Sequence, residues 1–85
     1  MKKKDLTMED LKYFANDLIK IYNRKYPDDR ISLIDLSSQV GVFEIGSTVA
    51  RIAGKMDLHA GLSYGIEELA AKMGELKRKL EDSLW

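Results

Sequence analysis

The placement of glycine constrains this chain more than any other feature. Five of its six glycines fall within residues 41–65, which read GVFEIGSTVARIAGKMDLHAGLSYG and also carry the only histidine, His59. The apolar residues around them keep a helical beat. Leu33, Leu36, Val40 and Phe43 stand three and four apart, and Ile45, Val49, Ile52 and Met56 continue at four, three and four. Gly46, Ala50 and Gly54 lie four apart and stack along one stripe of a helix, and Gly61 and Gly65 repeat that stripe beyond Asp57. A turn at residues 55–57 brings Gly54 near Gly61 and Ala50 near Gly65. The pattern predicts an antiparallel helical hairpin closed along a small-residue seam, with backbones nearer than the usual ~8–10 Å. Glycine inside a helix costs roughly 0.5–1 kcal/mol against alanine. Three features would offset this: a tight seam, helix ends at Gly41, Gly54 and Gly61, or a ligand approaching the backbone.

The rest of the chain reads as three helices. Thr7 suits an N-cap, with Glu9 and Asp10 in the first turn, where the helix dipole favours acids. Leu11, Phe14, Leu18, Ile21 and Tyr22 form an apolar stripe, with Lys12, Asn16, Lys20 and Asn23 outside it. Pro27 forces the residue before it out of helical geometry, so helix 1 is expected over about 8–25. Helix 2 is expected over about 31–55, capped by Asp29 or Ser32. Asp35, Gln39, Arg51 and Lys55 give it only a narrow polar stripe, and a helix apolar on most sides is buried on most sides. Helix 3 is expected over about 58–83, starting at Asp57 or Ser63, with Ile66, Leu69, Met73, Leu76 and Leu80 in heptad spacing. Four i,i+4 pairs (Glu68–Lys72, Glu75–Lys79, Lys77–Glu81, Arg78–Asp82) mark its wet face.

The expected architecture is an all-α three-helix bundle, with residues 1–6 as a basic tail and 7–85 as one domain. A chain of this size buries only about 60–65% of its unfolded surface, and it has no cysteine for a disulfide or thiolate metal site. Homodimerisation or a higher assembly is therefore expected to complete the core. The interface would draw on Val42, Phe43 and Ile45 of helix 2, on Tyr13 and Tyr22 of helix 1, and on Trp85.

Charge and motif content narrow the function. Lys and Arg number 14, as do Asp and Glu, so there is no net attraction to nucleic acid or an anionic membrane. No apolar run approaches the ~20 residues of a membrane span. The basic start MKKKD is followed by no apolar core, unlike a secretory leader. A cytoplasmic protein is expected, of a size and composition that suit a small microbial or phage protein. The chain has no P-loop, no GxSxG and no HExxH. His59 has only Asp57 near it in sequence as a general-base partner. Glu44, Glu67 and Glu68 fall short of the repeated acidic pattern of a helical Mg²⁺ site. No enzyme, metal or cofactor is expected.

The leading expectation is a non-enzymatic interaction, inhibitor or regulatory protein that self-associates and binds another macromolecule, most readily a protein. Two alternatives stand beside it. Leu36 to Val42, followed by Thr48 to Ile52, resembles the pattern of a helix-turn-helix over 33–55, with Gly41 in the turn and Arg51 and Lys55 on the recognition helix. A helical oligomer also offers a small-anion or nucleotide pocket, with Arg51, Lys55 and Tyr64 as contacts.

Overall fold

The computed structural model describes residues 6–57 and 65–84. Its described residues form three helices, α1 (Met8–Lys25), α2 (Val42–Lys55) and α3 (Ile66–Ser83), and no strand. At α1 the local signals act as the sequence suggests. Thr7 Oγ1 accepts from the Asp10 amide at 3.2 Å, and the Asp10 carboxylate accepts from the Thr7 amide at 3.0 Å. This reciprocal box satisfies two amides that the helix leaves bare. Tyr26, before Pro27, leaves helical geometry (φ −123°, ψ 73°), and a turn closes from the Asp29 amide to the Tyr26 carbonyl.

The largest departure from the sequence reading lies in residues 31–41. They are not helical, and α2 begins only at Val42 with Gly41 as its N-cap. They form a strap held along α1. Asn23 accepts from the Ile31 amide at 2.7 Å and donates to the Ile31 carbonyl at 2.9 Å. Asn16 does the same for Ile34 at 2.7 and 3.0 Å. Lys12 Nζ donates to the carbonyls of Ser38 (2.7 Å) and Leu36 (3.3 Å). The spacing explains the fit. Seven helical residues from Asn16 to Asn23 rise about 10.5 Å, and three extended residues from Ile31 to Ile34 cover about 10 Å. The strap ends in local bonds that compete with a helix: Asp35 Oδ1 accepts from the amide and hydroxyl of Ser37, and the Ser38 amide and hydroxyl donate to the Asp35 carbonyl.

The helices do not form the expected antiparallel hairpin. Lys25 Nζ donates to the Ser83 carbonyl at 3.4 Å, and Leu6 shares a groove with Gly65, Ile66, Glu67 and Glu68. Thus α1 and α3 match end for end and run the same way. The strap carries the chain back along α1, and α2 finishes beside the end of α1, where Tyr26 Oη donates to the Met56 sulfur at 3.3 Å. Met56 and Gly65 therefore lie at opposite ends of α1, whereas a hairpin would place the end of α2 beside the start of α3. Asp57 does not cap α3. It sits in left-handed geometry (φ 58°) directly after α2, and the N-cap of α3 is Gly65. The rival cap Ser63 lies outside the described residues.

One core joins the helices. Leu11, Ala15, Leu18, Ile19 and Tyr22 of α1 meet Ile45, Val49, Ile52 and Ala53 of α2 and Leu69, Met73, Leu76 and Leu80 of α3. The packing of α1 is more extensive against α3 than against α2. The heptad residues of α3 are core, with Ile66 half-buried at its edge. None of the four expected i,i+4 pairs closes within 4 Å, and the α3 ion pair is Lys72–Glu75 at 3.6 Å. Because the strap is not helical, α2 is amphipathic rather than apolar all round: Phe43, Glu44, Ser47, Arg51 and Lys55 face solvent. It needs no partner to cover it.

Candidate functional site

Of the small-residue seam, Gly46 is buried and Ala50 half-buried. A Cβ built on Gly54 or Gly65 meets nothing within 4 Å, so those two glycines line no close contact, and Gly61 lies outside the described residues. The close seam is not formed at Gly54 or Gly65 because α3 starts at the far end of the molecule. Of the expected interface residues, Ile45 and Tyr22 are completely buried core and Val42 packs half-buried against it. Phe43 is 85% exposed and Tyr13 56%. Trp85, Tyr64 and His59 lie outside the described residues. The helix-turn-helix over 33–55 is not formed, since its first helix would occupy the strap.

Two arrangements stand out. The first is a polar node at the C-terminal end of α1. Tyr22 Oη donates to Asp29 Oδ2 at 2.5 Å, Arg51 Nη2 donates to Asp29 Oδ1 at 2.9 Å, and Lys55 Nζ lies 3.9 Å from Oδ2. Burial, followed by the bond to Asp29 and its charge, pushes the Tyr22 phenol up to about 12, against the small opposing effect of Arg51. The Asp29 carboxyl is held below its ordinary value by the Tyr22 hydroxyl first and then by Arg51 and Lys55. Tyr26 stacks tilted on Tyr22 at 4.9 Å, with the Lys25 and Lys55 amines 5.4 and 5.5 Å from its ring centre. The node ties the turn after α1 to α2. It occupies Arg51 and Lys55, the two cations expected to meet nucleic acid or a small anion. Asp29 read in the sequence as a candidate cap of the second helix, which the structure caps at Gly41 instead, and nothing in its spacing marks Arg51, 22 positions on, as its partner.

The second arrangement is the outer face of α1 with the strap along its flank. Tyr13 and Phe14 line an open groove of about 320 Å³ together with Leu6, Asp10 and Asp17. Further along the helix, Leu33 of the strap lies with Lys20, Asn23, Arg24 and Arg30. Leu36 also belongs to the strap, where Lys12 grips its carbonyl. Among the described residues, the exposed large apolar side chains are Tyr13, Phe14, Leu33, Leu36 and Phe43. Asn16, Asn23 and Lys12, which build this face, read in the sequence as solvent positions. Their signal was their common stripe, at spacings of four and seven. Lys12 is only 7% exposed.

Among the described residues no group of three or more His, Asp or Glu side chains is placed to hold a metal ion, and no helix is long and apolar enough to cross a membrane. The fold and these surfaces define an all-α, three-helix chain whose second and third helices each return to the end where the first one finishes. No protein-family model, curated protein or solved structure matches it.

Proposed function

We propose that this is a small non-enzymatic cytoplasmic binding protein that self-associates through the outer face of α1 and its strap and acts by binding another macromolecule. The observation that carries this reading is the set of large apolar side chains left exposed on α1 and its strap, with Tyr13 and Phe14 over one groove and Leu33 beside another. Exposed apolar residues scattered singly need no explanation, whereas several drawn from one helix and its strap, with charged residues among them, suit an interaction surface. The aromatic content of the set also suits one, because tyrosine and phenylalanine are enriched at interface centres. Tyr13 and Phe14 sit on a rigid helix, and Leu33 and Leu36 sit on a segment fixed by six hydrogen bonds with α1 side chains. A surface held this way loses little freedom on binding.

Light scattering on the purified protein tests this reading. The wild type should have a mass above the 9.7 kDa of one chain, and Tyr13→Ser with Leu33→Ser should return it to one chain with unchanged helical circular dichroism. A wild type that stays at one chain mass at every concentration overturns self-association.

A further inference from the structure

We infer that the occupant of the α1 face is a second copy of this chain, packed with its own α1 antiparallel to the first across a twofold axis between Asp17 and Lys20. The inference rests on the self-association proposed above and adds the orientation and the register.

Charge along this face is sorted by sign. Asp10 and Asp17 flank Tyr13 and Phe14 in the first half of the helix, and Lys20 and Arg24 follow, with Arg30 beside them. Asp17, Lys20, Arg24 and Arg30 make no ion pair within the described chain. Lys20 and Arg24 stand four apart on one helix face, a like-charge spacing that disfavours the isolated helix. The acids of the first turn and the bases of the last serve the helix dipole, but its effect fades within a turn of each end. Asp17 and Lys20 lie mid-helix, so the dipole does not account for them.

An antiparallel copy does account for them. With the twofold between residues 17 and 20, Asp17 faces Lys20 of the second copy and Lys20 faces its Asp17. The same register sets Tyr13 opposite Arg24 of the second copy, a ring-on-guanidinium pairing, and carries the acidic end of each helix toward the Arg30 turn of the other. Such a contact is isologous and closes at two chains. It also opposes the dipoles of the two molecules, each of which has helices running the same way. Stacking the acidic end of one molecule on the basic end of the next would pair charges too, but it would leave Tyr13, Phe14 and Leu33 bare and would grow without closing.

Three variants at exposed positions test the register: Asp17→Lys, Lys20→Glu, and the two together. Asp10 is left in place because its carboxylate closes the capping box. Each single reversal sets like charges across both symmetric contacts and should weaken the dimer roughly ten- to a hundredfold. An equimolar mixture of the two single variants should regain a mixed dimer, and the double variant should regain a homodimer. All should keep wild-type circular dichroism. A dimeric wild type whose single reversals stay equally dimeric, or whose mixture and double variant stay dissociated, overturns this register while leaving self-association standing. A mass that grows without limit overturns the closed pairing in favour of head-to-tail stacking. A monomeric wild type removes both proposals.

Discussion

Replacing Asn16 or Asn23 with alanine should release the strap from α1. Each side chain closes a two-bond ring with one strap residue: the Ile34 amide and carbonyl for Asn16, the Ile31 amide and carbonyl for Asn23. All four bonds are partly buried. An intramolecular hydrogen bond contributes about 1 kcal/mol net, and a buried group left unpaired costs more. Each single variant should therefore lose about 2–3 kcal/mol. A chain of this length has only about 4–13 kcal/mol to lose, so the loss should lower the melting temperature by roughly 8–24 °C. Because Ile31 and Ile34 belong to one segment, freeing one frees part of the other, and the double variant should lose less than the sum of the singles. The assay is urea unfolding followed by helical circular dichroism, with all four species measured as a double-mutant cycle. Losses below about 0.5 kcal/mol for both singles, the size of an ordinary surface change, would refute the strap as a hydrogen-bonded element.

Two further outcomes follow from the same structure. The Tyr22 phenol is raised to about 12 in the folded chain against 10.0 for its ordinary value, so the unfolded chain loses this proton first as pH rises. The stability tied to it is fully present below pH ~10 and is lost as pH climbs through the folded value. Urea unfolding across that range should show the decline in wild type and not in Tyr22→Phe, and equal slopes would dismiss it. Gly54→Ala should raise stability by about 0.5–1 kcal/mol, because a Cβ there meets open space on a helix. A lowered urea midpoint would restore the close seam at that position.

What was legible in the sequence was local. The bounds of α1 followed from Thr7 and Asp10 at one end and Pro27 at the other, and the α3 core followed from its heptad spacing, since these signals act within a turn or two of chain. The strap was not legible. Leu33, Leu36 and Val40 keep helical spacing, and side chains of α1, 8 to 26 positions away, divert the backbone from a helix together with the local bonds of Ser37 and Ser38 to Asp35.

The same division runs through the candidate site. Arg51 and Lys55 sit on a helix, as their spacing suggested, but Asp29 and Tyr22 occupy them only because α2 returns to the end of α1. Ile45 and Tyr22 looked suited to an interface, yet the parallel course of the helices turned both into core. By itself the sequence determined the course of α1 and the core stripe of α3, through caps, proline and apolar period, because those forces reach only a few residues. The tertiary structure alone decided that the helices run in one direction, that a strap replaces half of the second, and that Tyr13 and Phe14 of α1 and Leu33 and Leu36 of the strap stay uncovered. Those outcomes depend on which distant side chains satisfy which backbone groups, and no local spacing encodes that pairing.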